Sequence, residues 1–147
     1  MNTRTHPIVG HIHLTVADLD RALVFYRDLL GFDISARYGD SAVFLSAGGY
    51  HHHIGLNTWA GKDATPPPQG HTGMYHVAFL YPSRKALATV LKRLIDAKHP
   101  FEGSADHGVS EALYLKDPDG NGVELYVDRP KDTWTVSNDG RSEERRV

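Results

Sequence analysis

The sequence predicts an α+β fold built from two copies of one module, each a strand, a helix and three further strands. Two observations predict it. Apolar alternation and helical stripes follow the same order twice along the chain. His11 stands seven positions before Asp18, a residue suited to cap a helix, and His76 stands seven positions before Ser83, which can do the same. Within one domain, 1–147, module one covers about residues 8–58, a linking loop 59–73, module two about 74–130 and a tail 131–147.

The first strand is Ile8 to Val16, where alternation puts His11 and His13 on one face and Ile12 and Leu14 on the other. Asp18 caps the helix that follows, and Asp20 complements its dipole. Leu19, Leu23, Tyr26 and Leu30 form its apolar stripe, and Gly31 ends it. Phe32 to Arg37, Ser41 to Ala47 and Tyr50 to Asn57 read as three strands. The loop carries Pro66-Pro67-Pro68, with Trp59 and His71 as its anchors. Module two repeats the plan. Met74 to Tyr81 is a strand, Pro82 breaks it, and Ser83 caps a helix with the stripe Leu87, Val90, Leu91, Leu94 and Ile95. Phe101 to His107 is a weak strand. Two stronger strands follow, around Leu113-Tyr114-Leu115 and Val123 to Val127, joined by the turn residues Asp117 to Gly122. Periodicity ends after Arg129, and the charged end Ser142 to Val147 is predicted to fray.

Composition narrows the chemistry. The 147 residues suffice for one domain with a sizeable core. Lys plus Arg is 16 and Asp plus Glu is 18, a net charge of −2, which argues against a nucleic-acid partner. With no cysteine, disulfides, thiolate metal sites and a Cys nucleophile are excluded. No apolar run is long enough to span a membrane, and the first ten residues lack the apolar core of a signal peptide, so a cytoplasmic location is expected. The unusual count is 10 His.

Three constellations could carry chemistry. His11, His76 and Glu124 are two imidazoles and a carboxylate on strands, the donor set that holds non-haem Fe(II) on one face and leaves positions open. On pattern alone, each His could equally be a hydrogen-bonded core or surface residue and Glu124 could face water. The run His51-His52-His53 sits within a strand pattern. Period two sends His52 to one face and its neighbours to the other, so at least one imidazole meets the interior and suits acid–base work. His107 and Tyr114 precede Glu124 across a hairpin. A phenol there could donate to a bound oxygen ligand, or pack against its cross-strand neighbour.

These stretches resemble the vicinal oxygen chelate superfamily, which includes glyoxalase I, fosfomycin-resistance transferases, bleomycin-resistance proteins and extradiol dioxygenases. VGHIHLTVADLDRALVFYRDLLGF is similar to its first strand and helix, MYHVAFLY to the strand opening its second module, and KDPDGNGVELY to its last hairpin. The resemblance implies two βαβββ modules in an open, curled mixed sheet around a metal, with His11, His76 and Glu124 as ligands. The stretch from His107 through Leu113-Tyr114, Asp117-Pro118 and Gly120 to Glu124 resembles the extradiol signature. HHIG at His52 to Gly55 resembles the context of that group's acid–base histidine, pointing to His52, whereas strand parity counted from Gly55 points to His53; both stay open. Gly55 stands where glyoxalase I has a fourth, Glu ligand.

The expected function is a metal-dependent extradiol-type dioxygenase cleaving a catechol-like small molecule with O₂. The metal would be Fe(II), with Mn, Zn or Ni as alternatives. His52 or His53 would move protons, and His107 and Tyr114 would hydrogen-bond substrate or oxygen. The alternatives are a glyoxalase-like isomerase or thiol transferase on the same metal site, and a resistance-type protein that binds a small ligand without chemistry. The resemblance also implies a homodimer.

Overall fold

The computed structural model describes residues 4–106, 110–130 and 145–146. The chain divides into two compact units, Met1–Thr65 and Pro66–Val147. Each carries one βα module with three further strands, and each module forms an open mixed sheet.

In unit 1 the elements are β1 (Ile12–Thr15), α1 (Leu19–Leu23) continuing as a π-helical stretch (Val24–Leu29), β2 (Asp33–Tyr38), β3 (Ala42–Ser46) and β4 (Ile54–Asn57). The sheet order is β1-β4-β3-β2. The opening strand thus lies parallel beside the closing one, Ile12 opposite Ile54, while β2, β3 and β4 run as antiparallel hairpins. A parallel neighbour needs a crossover, which the helix supplies. One sheet face carries Leu14, Val43, Leu45, Ile54 and Leu56. These are buried together with Ala22, Leu23, Phe25, Tyr26 and Leu30 of the helical segment.

Unit 2 repeats this with β5 (Val77–Leu80), α2 (Arg84–Asp96), β6 (Phe101–Asp106), β7 (Ser110–Lys116) and β8 (Gly122–Asp128), and adds β9 (Arg145–Arg146), in the order β5-β8-β7-β6-β9. Here β5 is parallel to β8, with Val77 opposite Val123. Leu87, Val90 and Leu94 of α2 are buried, as are Leu115, Val123, Leu125 and Val127 of the sheet. Both helices are capped as expected: Asp18 Oδ1 accepts from the Arg21 amide at 2.9 Å, and Ser83 Oγ from the Ala86 amide at 3.1 Å.

Four expectations shift. The opening strands are shorter than the alternation suggested, so His11 and His76 each stand one residue before a strand. The first helix widens at Val24, and the Leu30 amide reaches the Phe25 carbonyl five residues back at 2.9 Å. The wider turn keeps two adjacent rings, Phe25 and Tyr26, buried edge to face with centroids 4.8 Å apart. The strand expected over Tyr50 to Asn57 begins only at Ile54, because the carbonyls of Tyr50 and His51 are held by serine hydroxyls rather than by a strand. The tail contributes a two-residue strand, β9 (Arg145–Arg146), which pairs with β6 at Ala105 and Asp106.

Of the two loop anchors, Trp59 is tied by its indole N–H to Ser41 Oγ at 3.2 Å and by its amide to Asn57 Oδ1 at 3.0 Å. His71 lies 3.4 Å from the nearby Gln69 carbonyl, a local contact two residues back. No helix among the described residues is long and apolar enough to cross a membrane.

The β7–β8 turn is organised by Asp117, which is 4% exposed. Its carboxylate accepts from the amides of Asp119 (2.9 Å) and Asn121 (2.8 Å) and from the Asn121 side chain (2.9 Å). Bonds to a charged acceptor contribute more than neutral ones. Asp117→Ala should therefore lower unfolding free energy by about 1.5–3 kcal/mol, measured as a fall in the denaturant midpoint at unchanged slope.

Candidate functional site

In unit 2 the parallel β5–β8 register sets Ala78 opposite Glu124, and the β7–β8 hairpin sets Tyr114 opposite Glu124. His76, two residues before Ala78, reaches the same place: its Nε2 lies 3.3 Å from Glu124 Oε2. The His76 and Tyr114 ring centroids are 6.0 Å apart. The Glu124 side chain is only 14% exposed, so it does not simply face water. Burial would be costly for a carboxylate without a partner of opposite charge or a metal. The close approach of β5 and β8 depends on Gly122, where an added Cβ would collide with the Tyr75 carbonyl and stand 3.0 Å from His76 Cβ. His76, Tyr114 and Gly122 help line a cavity of about 1100 Å³, which the loop from Pro66 to Gly73 also lines. On the same sheet face, burial and then the nearby charges of Asp128 and Glu124 push the Tyr126 phenol pKa up.

In unit 1 the matching face carries imidazoles. The His11 and His52 ring centroids are 4.2 Å apart, and His52 lies 5.0 Å from Phe44. His51 Nδ1 and His52 Nδ1 are 2.8 Å apart, so one carries a proton and the other accepts it. Desolvation first, then the neighbouring His11, His51, His13 and His53, hold the His52 pKa below the ordinary histidine value. His53 turns elsewhere: its Nδ1 accepts from the Ala47 amide at 3.1 Å and lies 3.4 Å from Ser46 Oγ. The parity expected of a strand therefore does not apply to residues 51–53, which precede β4.

His11 and His52 are thus together in unit 1, and His76, Glu124 and Tyr114 in unit 2. His107 lies outside the described residues. No three His, Asp or Glu side chains among the described residues form a metal-binding group.

The sequence comparison matches the Glyoxalase/Bleomycin resistance protein/Dioxygenase superfamily over residues 8–125. The chain belongs to this superfamily. It is 46% identical over 112 residues to a catechol-2,3-dioxygenase of Bacillus subtilis (strain 168), covering 76% of this chain and 38% of that protein. It is 31% identical over 123 residues to biphenyl-2,3-diol 1,2-dioxygenase 3 of Rhodococcus globerulus, covering 83% and 64%. The chain spans less than two thirds of the length of either relative. Among solved structures, a glyoxalase/dioxygenase from Nostoc punctiforme matches with a TM-score of 0.72 at 19% identity, over 88% of this chain and 99% of that one, a likeness of fold.

The superfamily and these relatives imply a divalent metal. The donors of unit 2 fit one. Two ligands at about 2.0–2.2 Å from a metal and at right angles are roughly 3 Å apart, close to the 3.3 Å between His76 Nε2 and Glu124 Oε2. Nitrogen and carboxylate donors together suit iron, manganese or zinc.

The sequence reading passed over several contributors. His13 lays its ring over Gly55, where an added Cβ would stand 2.8 Å from its Nδ1. Phe44 pairs with Gly55 as Tyr114 pairs with Glu124, a correspondence that the repeat could have revealed. His51 was visible only as part of the run. Gly122 carried a turn signal, but its role against β5 needs the three-dimensional register. Gly122→Ala should cost about 1–3 kcal/mol, as overpacking does, read as a lowered denaturant midpoint. It should also shift the His76 side-chain resonances.

Proposed function

We propose that the chain is a metal-dependent extradiol-type dioxygenase that cleaves a catechol-like small molecule with O₂. The observation that carries this reading is the His76–Glu124 pair at 3.3 Å with Tyr114 opposite Glu124 in register. It is supported by the names of the Bacillus subtilis and Rhodococcus globerulus relatives. The ligands are His11, His76 and Glu124, and Fe(II) is the metal that best suits two imidazoles and one carboxylate. When bound, the metal would hold the catechol oxygens and O₂ in one coordination sphere.

The chain's own residues do the rest. Glu124 supplies negative charge in a largely desolvated place and is set there by the β5–β8 register. His52 is the acid–base group. Its lowered pKa keeps the ring neutral near pH 7; in this scheme His52 Nδ1–H donates to His51 Nδ1, so Nε2 carries the lone pair that takes a catechol proton. The Tyr114 hydroxyl donates to a substrate or oxygen atom, and His107 has the same task by its place in the signature. His53 is committed to Ala47 and Ser46 and takes no proton in this scheme. A homodimer belongs to this reading by resemblance alone.

Glu124→Ala should sharply lower bound divalent metal, measured by elemental analysis of a chain that stays folded by circular dichroism. Full occupancy would remove Glu124 from the ligand set. His52→Phe and Tyr114→Phe should each keep the metal and lose catechol cleavage by about 10²–10⁴-fold, measured with O₂ uptake, while His53→Phe stays active. An inactive His53→Phe beside an active His52→Phe would reverse the assignment. A wild type that turns over no catechol would defeat the dioxygenase reading.

A further inference from the structure

Both modules carry the same irregularity in their second strand. In unit 1 the β2–β3 register slips between Ile34 and Ala36, and in unit 2 the β6–β7 register slips between Phe101 and Gly103. Ala36 pairs with Phe44 and Gly103 with Tyr114, so the bulged residues Ser35 and Glu102 hold the same place in the repeat. A bulge re-aims the side chain of its extra residue. In unit 2 the result is a surface ion pair, Glu102 Oε1 to Lys116 Nζ at 3.2 Å. In unit 1 the result is different. Ser35 Oγ donates to the His51 carbonyl at 2.7 Å, with the Phe44 carbonyl farther off at 3.2 Å.

The next carbonyl back is held the same way. Ser46, 4% exposed, donates through Oγ to the Tyr50 carbonyl at 2.6 Å. Two consecutive peptide groups are thus fixed by two serines on two strands. They lie just before the residue whose ring packs against His11. The His53 carbonyl accepts from the Ile12 amide at 3.0 Å, so the turn is tied from the other side to the strand that follows His11. Residues 51–53 belong to no strand; the His53 amide donates to the Leu45 carbonyl at 2.8 Å, and the two carbonyls ahead of it, Tyr50 and His51, are held by the serine hydroxyls.

We propose that Ser35 is a positioning residue, whose hydroxyl, aimed by the β2 bulge, fixes the His51–His52 turn so that the His52 ring stays against His11. The bulge belongs to the fold, because it recurs in unit 2. The hydroxyl at this position belongs to the site, because the matching Glu102 makes no such bond to a turn among the described residues and pairs with Lys116 instead. The consequence for turnover rests on the proposed role of His52, whereas the placement of the ring does not.

The experiment has two arms. In the zinc-loaded protein with labelled histidines, the nuclear Overhauser contact between the His11 and His52 rings should be present in wild type, lost in Ser35→Ala and kept in Ser35→Thr, which retains the hydroxyl. A contact kept in Ser35→Ala, or lost in both variants, overturns the proposal. This arm reads ring placement whether or not the chain cleaves catechols. In the second arm, Ser35→Ala should lower kcat roughly 3- to 10-fold, the worth of one hydrogen bond, with KM and metal content unchanged. The loss should vanish in a His52→Phe background. If the same loss persists in that background, Ser35 does not act through His52. A wild type without catechol turnover would sink the dioxygenase reading and leave the first arm to decide this one.

Discussion

The arrangement depends on one constraint, the parallel pairing of each module's opening strand with its closing strand. Hairpins alone would set Tyr114 beside Glu124, but they would leave His76 unplaced. Pairing β5 with β8 brings a residue from the start of the module to one near its end. The helix makes the crossover that this pairing requires. Strand register is unforgiving, since a slip of one residue turns every side chain to the opposite face. In unit 2 the register is protected at both ends. Gly122 lets the two backbones approach where a Cβ would strike the Tyr75 carbonyl, and the Asp117 carboxylate fixes the turn from which β8 starts.

The same frame, used twice, carries different chemistry. Phe44 in unit 1 stands where Tyr114 stands in unit 2, and Gly55 where Glu124 stands. Module two therefore presents a phenol and a carboxylate, and module one presents a hydrocarbon ring and no side chain. The vacated place at Gly55 is taken by the ring of His13, itself in contact with Phe44 and Trp59 at centroid distances of 5.8 and 5.5 Å. A glutamate at 55 would have to displace that ring. The absence of a carboxylate at 55 is thus matched by the packing of unit 1.

Much of the frame was legible in the sequence because it rests on periodicity. Buried stripes such as Leu87, Val90 and Leu94 announce a helix, and Asp18 and Ser83 announce its start. The matched spacing of His11 and His76 placed both within the opening strands, whereas each stands one residue before its strand. What escaped depends on side chains bonding to backbone, which periodicity does not encode. The stretch from Tyr50 to His53 runs straight into the apolar strand that follows, but Ser35 and Ser46 offer its carbonyls another partner. The widened helix escaped for a similar reason. Phe25 and Tyr26 are adjacent in sequence, and nothing in a regular helical stripe calls for both to be buried.

The abundance of histidine is also less uniform than the count suggests, and ring partners sort it. Rings that bond to backbone are fastened to the fold: His99 Nε2 donates to the Lys116 carbonyl at 2.8 Å, and His53 Nδ1 accepts from the Ala47 amide. A nitrogen used in this way is occupied by the structure and is poorly placed to exchange protons. Rings that meet another imidazole or a carboxylate are of a different kind. His76 faces Glu124, and His52 faces His11 and His51. Placing a charge on His52 would oppose any charge on its imidazole neighbours as well as the cost of desolvation, and both push toward the neutral ring. A neutral imidazole is the form that can accept a proton. The crowding of histidines in unit 1 therefore favours one group as a base, and it does so without adding a carboxylate whose charge would raise the His52 pKa and favour the protonated ring.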